Sequence, residues 1–549
     1  MSVASTTWSP YGLRTAHPSA WPQYPMDRAP TTPEASDPRY EIQYDLNRSV
    51  AVRDGTRLLL DVYRPIAPGE RFPALISVSP YTRQLQRDSA PIGQNEAGIT
   101  EFWVPRGYVH LVVDVRGTNG SEGVWQNHAS LEQLDTVDLI EWAVDQSWCS
   151  GRVGMVGCSY FALAQQLVAA EQPPALRAIF PYDAYTDAYR HAYFPGGMPA
   201  DGFLRGWSAP VRQLNGMSGR NPQARAITQH FQEVLGRADA LDGPEFQDRS
   251  TRPVMERIEV PAYFGCDWDF HGLHLAGAFD AWQGVASETK RMLIGPPPKP
   301  GRPFAAYHLE ALRWYDYFLK DLDSGVLDGG PIRLWVQGAG HWREEADWPL
   351  ARTRWDEWHL GAGRDGLVLD PGSVVRGEAI LDNDVRDEEA WLRGEPRLAF
   401  RSEALPEPLE ITGPIELVLV MASTEEDTDW IVVLQDEAPD GGFRELTRGW
   451  LRSSHRAVDE HRSRRNEPWH PHDRVEPLPV GETVELRVGL VPTCNVFQAG
   501  HRVRLELSNA DSLVTNTARY RRTRRNSARN TVVLGPERSR LRLPIIPSA

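Results

Sequence analysis

Ser159 lies in the stretch Gly154-Met155-Val156-Gly157-Cys158-Ser159-Tyr160-Phe161, where a short apolar run meets a helix-like one. A serine on a tight strand-to-helix turn, flanked by small residues, is the arrangement of a nucleophile elbow, usually written GxSxG. Here the first glycine is Gly157, and Phe161 stands where the second would be. A serine attacks an acyl carbon only when a positioned base takes its proton. The competing reading is a buried serine that merely ends a strand, and the motif by itself leaves both open.

The surrounding elements are those that could carry an elbow. "VAVRDGTRLLLDVYRP" is two alternating stretches around Asp54-Gly55, a hairpin signature. "FPALISVSPYTR", "YVHLVVDVRGTNGSEG" and "GRVGMVGCSY" are short apolar runs ending in turn residues, and the helix-like "LEQLDTVDLIEWAVDQS" precedes the third. Buried strands alternating with helices predict a mostly parallel sheet in an α/β layer. Residues 41–185 and 256–350 are expected to form its two parts, with a helical insertion over 186–255 and a Pro-rich arm over 1–40. From residue 351 to 549 helical patterning almost vanishes, and runs such as "PIELVLVMAS" and "HRVRLELSNA" predict an all-β sandwich, read as a jelly roll.

These segments, taken together, resemble the family of cocaine esterases, α-amino ester hydrolases, glutaryl cephalosporin acylases and X-prolyl dipeptidyl peptidases. The likeness runs from about residue 40 onward through "VRDGTRLLLDVYRP", Ser79-Pro80-Tyr81, "DVRGTNGSEG", the elbow and "NVFQAGHRVRLELSNAD". It implies an α/β-hydrolase fold with a helical cap and a C-terminal jelly roll. It also implies Ser159 as nucleophile, the Tyr160 N–H and the Tyr81 hydroxyl as oxyanion donors, and Asp269 as the acid. Asp267 competes with Asp269, because the family's Gly-Trp-x-Asp is written here as Gly265-Cys266-Asp267-Trp268-Asp269.

The family's general base follows the last sheet strand in a Gly-Pro-x-x-His segment, and this chain has Gly295-Pro296-Pro297-Pro298-Lys299. Three accounts follow. His308, at the head of "YHLEALRWYDYF", is a replacement base; or Lys299 itself takes the proton; or ordinary hydrolysis is absent and the pocket binds a ligand or runs another reaction, such as acyl transfer, cyclisation or carbon–carbon cleavage. A lysine base requires burial that lowers its pKa by several units, and a neighbouring carboxylate opposes that. His271 and His274 follow the acid too closely in sequence for the usual geometry. With Phe161 they are expected to line the pocket and touch substrate.

The aromatic-rich "DAYTDAYRHAYFPGGMPADGFLRGW" of the insertion suggests a small, apolar substrate. No GxGxxG after a strand, Walker loop or HExxH occurs, so no cofactor is expected, and His470-Pro471-His472 has no partners at metal-ligand spacing. A net charge of -15 argues against nucleic acid, and the run "RYRRTRR", Arg519 to Arg525, is expected to be a solvated loop. With 41% hydrophobic residues, no window of the length that spans a bilayer, no secretory signal pattern and four cysteines without CxxC spacing, a cytoplasmic enzyme with reduced thiols is expected. A homodimer through the β-sandwich is expected by analogy alone.

Overall fold

The computed structural model describes residues 35–88, 96–217, 240–296 and 304–547, apart from 365, 373, 385, 513–520, 522 and 524–526. Lys299, most of the N-terminal arm and the middle of the insertion therefore lie outside the described residues.

The first strands are β1 (Ile42–Ala51), β2 (Arg57–Pro65), β3 (Phe72–Ser79), β4 (Val109–Asp114) and β5 (Cys149–Met155). They continue as β6 (Leu176–Ile179), β7 (Ala262–Asp267), β8 (Lys290–Gly295), β9 (Ile332–Val336) and β10 (His341–Glu345). The sheet order is β1-β2-β4-β3-β5-β6-β7-β8-β9-β10. The β1–β2 hairpin is antiparallel and turns at Asp54-Gly55, where Gly55 takes φ +84° and the Asp54 carboxylate accepts the Thr56 N–H at 2.9 Å. From β3 to β9 neighbouring strands are parallel, and every residue of β3 and of β4 is buried. Strands buried along their whole length are covered on both faces.

The covering helices are α1 (Ser130–Val144), α2 (Tyr160–Ala170), α3 (Asp201–Met217), α4 (Leu275–Gly284) and α5 (Phe304–Lys320). All eleven residues of α2 are buried, so the helix following the elbow is locked into the core. α3 occupies the insertion and carries the aromatic residues Phe203 and Trp207.

Among the described residues from Arg354 to Ile546 a second sheet of eleven strands forms, antiparallel apart from one short parallel pairing between Gly366–Asp370 and Arg397–Arg401. Its core holds Leu417, Leu419, Leu434, Leu486 and Leu505, separate from the core of the first sheet. A further buried cluster, including Trp268, Phe279, Trp348, Cys494 and Ile546, joins the two units. All four cysteines are buried, and none forms a disulfide. Among the described residues no helix is long and apolar enough to cross a membrane.

Of the basic run Arg519–Arg525 only Arg521 and Thr523 are among the described residues, and at Arg521 the expectation of a solvated loop fails on physical grounds. Arg521, in the middle of the basic run, is fully buried instead of solvated. Its guanidinium lies 4.9 Å from the centre of the Trp450 ring and donates to the Gly272 carbonyl at 2.5 Å. Cation–π contact and a hydrogen bond offset the desolvation that a free charge would not survive.

Candidate active site

The elbow is built by backbone constraint. Ser159 adopts φ +61°, ψ −117°, a region that side-chain-bearing residues rarely occupy and that persists only where surrounding contacts impose it. Those contacts are present. The Ser159 N–H donates to the Tyr182 carbonyl at 3.0 Å, the Cys158 N–H to that of Glu96 at 2.8 Å, and the Gln165 amide to that of Gly157 at 2.8 Å. Gly157 takes φ +123°, and a Cβ there would sit 2.5 Å from the Phe161 Cβ and 2.8 Å from the Glu96 oxygen. Phe161 thus fills the space that makes Gly157 indispensable. Its ring is buried 5.9 Å from that of Tyr81.

Ser159 is 7% exposed, and its Oγ lies 3.5 Å from Nε2 of His274. That separation is longer than a formed hydrogen bond, and a small movement of either side chain would close it. His274 sits at the N-terminal edge of α4, after the short turn Trp268–Phe270, and its N–H donates to the Phe270 carbonyl at 3.1 Å. Its ring lies parallel to those of Phe270 at 5.3 Å and Tyr185 at 6.4 Å. The expectation that His274 follows the acid too closely to meet the serine is thereby corrected. Its short sequence distance from β7 does not matter, because the chain turns back across the carboxyl end of the sheet.

Tyr81 follows β3, and its N–H donates to the Ser79 hydroxyl at 3.1 Å. Asn119 and Asn215 both donate to the Pro80 carbonyl, at 3.2 and 3.3 Å. The Trp207 indole N–H donates to the Tyr81 hydroxyl oxygen at 2.7 Å, so α3 fixes that oxygen. Tyr160 opens α2, where a first-turn N–H has no helical carbonyl to bond. Its phenol donates to Glu132 at 2.5 Å and accepts the Trp125 indole N–H at 2.9 Å, while the His128 ring stacks on it at 3.5 Å. Burial pushes the Glu132 carboxyl up to about 7 and holds His128 well below the ordinary histidine range.

The remaining candidates are distributed as follows. Asp267 ends β7, is buried and accepts the Tyr182 phenol at 2.9 Å; a Cβ on Gly295 would sit 2.5 Å from its carboxylate. Asp269 is half-buried within the Trp268–Phe270 turn. His308 accepts the Ile99 N–H at 3.4 Å, and its ring lies 4.8 Å from Phe102 and 5.9 Å from Trp103. His271 is paired through Nε2 with Glu445 of the second sheet at 2.8 Å, with Nδ1 at 3.3 Å from the Trp268 carbonyl. A cavity of about 30 Å³ adjoins Ser159, walled by aromatic side chains including Tyr185, Tyr193, Phe203 and Trp207, with His274 on its rim. His274 as a partner of Ser159 is the pairing that residue order concealed. Its signal was positional: a histidine just beyond a parallel strand's carboxyl end, where α/β sites gather.

Residues 54–297 match the model of the X-Pro dipeptidyl-peptidase S15 family, and 324–541 that of the X-Pro dipeptidyl-peptidase C-terminal non-catalytic domain. The cocaine esterase of Rhodococcus sp. (strain MB1 Bresler) is 27% identical over 586 residues, covering 91% of this chain and 98% of that protein. Two solved structures share the fold. A CocE/NonD family hydrolase from Staphylococcus aureus superposes with a TM-score of 0.80 at 23% identity, covering 92% of this chain and 94% of its own. An aminopeptidase from a marine sediment archaeon, Thaumarchaeota archaeon, gives 0.71 at 16% identity, covering 95% and 100%.

Proposed function

Because the chain belongs to the hydrolase family of S15 X-Pro dipeptidyl-peptidases and cocaine esterases, we propose that it is a serine esterase for small, neutral, apolar substrates in which His274 is the general base. The observation that carries this reading is the 3.5 Å approach of His274 Nε2 to the Oγ of a serine held in a strained elbow. In the acylation step the Ser159 hydroxyl passes its proton to His274 as Oγ attacks the ester carbon. The imidazolium then returns that proton to the departing alcohol, and water, deprotonated by His274, releases the acid. Negative charge on the carbonyl oxygen is met by the Tyr160 N–H and the Tyr81 hydroxyl, each worth on the order of 3 kcal/mol in the transition state. Asp269, on the turn leading to His274, is the carboxylate that the family likeness assigns to orient the base. This chemistry has no need of Lys299 or His308.

The architecture favours this assignment. The sheet order, with β2 alone antiparallel among its inner strands, supports an α/β-hydrolase core over 41–185 and 256–350. The segment 186–255 then acts as a cap through Phe203 and Trp207 of α3, and the C-terminal unit is a jelly roll. The substrate class follows from the cavity wall. Among its described residues there is no carboxylate to pair with an ammonium group, and an unpaired buried charge is costly. A neutral acyl group suits that wall better than a peptide with a free amino terminus.

The test is intact-mass analysis after a fluorophosphonate probe, on wild type, Ser159→Ala and His274→Ala, with turnover of 4-nitrophenyl benzoate and of Gly-Pro-4-nitroanilide measured alongside. Labelling of wild type alone, with ester turnover exceeding anilide turnover, supports the proposal. Undiminished labelling of folded His274→Ala removes His274 as base, and preferential anilide cleavage overturns the substrate class.

A further inference from the structure

The loop that presents His274 is held from the second sheet at two adjacent residues. His271 Nε2 lies 2.8 Å from the Glu445 carboxylate, and the Arg521 guanidinium donates to the Gly272 carbonyl at 2.5 Å. These holds form one circuit. Glu445 accepts Nε and Nη2 of Arg448 at 2.6 and 2.7 Å; Nη1 of Arg448 donates to Asp511 at 3.0 Å; Asp511 accepts the Arg521 N–H at 2.9 Å. His271, Arg448, Asp511 and Arg521 are all buried. Although burial opposes it, Arg448 and then His271 hold the Glu445 carboxyl well below its ordinary range, so the carboxylate is a firm acceptor.

Both ring nitrogens of His271 face acceptors, the Trp268 carbonyl and the Glu445 carboxylate. An N–H on Nε2 donates to the Glu445 carboxylate, a charge-assisted hydrogen bond. The ring therefore bridges the turn preceding His274 to the β-sheet unit. Buried ionic networks contribute little net stability relative to apolar packing, and their best-supported use is to specify one arrangement over others. Here the arrangement specified is that of residues two and three positions before His274.

We infer that Glu445 and Arg521, together with His271, are positioning residues for His274, so that the C-terminal unit takes part in the reaction by holding the base at the nucleophile. This deepens the proposed function and rests on His274 being the base. Loss of either hold lets the loop shift, and a displacement of about 1 Å at a reacting pair can cost on the order of 100-fold in rate.

The experiment measures saturation kinetics of fluorophosphonate labelling, separating the maximal rate from the half-saturating concentration, on full-length wild type, Glu445→Gln, Arg521→Lys and His274→Ala, with melting curves for each. Glutamine keeps the shape of Glu445 but not its charge, and lysine keeps the charge of Arg521 but not its planar fork. In folded variants the maximal rate is expected to fall tenfold or more, with half-saturation near wild type. Wild-type maximal rates in folded Glu445→Gln and Arg521→Lys overturn the inference, as does a change confined to half-saturation. If one variant does not fold, the other decides. Full labelling of His274→Ala would instead show that the base assignment itself has failed.

Discussion

Ser159 Oγ and His274 Nε2 lie 3.5 Å apart although 115 residues separate them in the chain. The serine follows the end of β5 and the histidine the turn after β7, so both lie beyond the carboxyl ends of parallel strands. His274→Asn should reduce the labelling rate on the order of 10²- to 10⁴-fold, the usual contribution of a general base. His308→Asn should leave it near wild type, because the His308 ring is packed on Phe102 and Trp103. Equal losses in the two variants, with both folded, would contradict the assignment.

Tyr81 and Trp207 form a second testable pair. The indole N–H donates to the phenol oxygen, which polarises the O–H and strengthens it as a donor to an oxyanion. Tyr81→Phe should lower the acylation rate about 10²- to 10³-fold with little change in half-saturation. Trp207→Phe should give a smaller loss, about tenfold, because the hydroxyl remains but loses its fixed direction. Burst kinetics on 4-nitrophenyl benzoate would report both.

Gly157→Ala tests the elbow. The φ of +123° strains any residue with a Cβ, and that Cβ would overlap Phe161 and the Glu96 carbonyl. A loss of at least about 1–3 kcal/mol of stability is expected, together with loss of labelling. Denaturant melts at neutral pH would show it, and an unchanged midpoint would mean the elbow relaxes more easily than its contacts imply.

Glu132 should make stability fall with rising pH. Its carboxyl is raised from an ordinary value of 4.5 to about 7 by burial, ahead of all opposing contacts. Between those values the folded protein binds more protons than the unfolded chain, so its contribution is full below pH 4.5 and is lost as pH rises through about 7. The shift corresponds to at most about 3 kcal/mol. Glu132→Gln, which can still accept the Tyr160 phenol, should flatten that part of the decline in urea unfolding at pH 5 and pH 8. A slope identical to wild type would assign the decline to other buried carboxyls, such as Asp114 and Glu467, which burial also raises to about 7.

Local pattern was enough to read the antiparallel hairpin at Asp54-Gly55, the buried parallel strands and the turn that carries Ser159, because each is written in a few consecutive residues. The replacement of the second elbow glycine by Phe161 was equally plain in sequence. Its meaning was not, since the contact with Gly157 exists only once α2 folds back on the elbow. Asp267 and Asp269 stand two residues apart and look alike as letters. The fold separates them, placing one at the end of β7 against Tyr182 and the other, half-buried, in the Trp268–Phe270 turn.

The sequence by itself determined an α/β part followed by a β-rich part, and the strand-turn-helix at Ser159, since periodicity and motif spacing are local properties. Only the tertiary structure decided which histidine reaches the serine, and why a cation from a basic run lies buried under Trp450 against Gly272. Both depend on long-range contacts between segments that sequence order keeps far apart. Such contacts are set by how two sheets pack, which no short stretch of residues encodes.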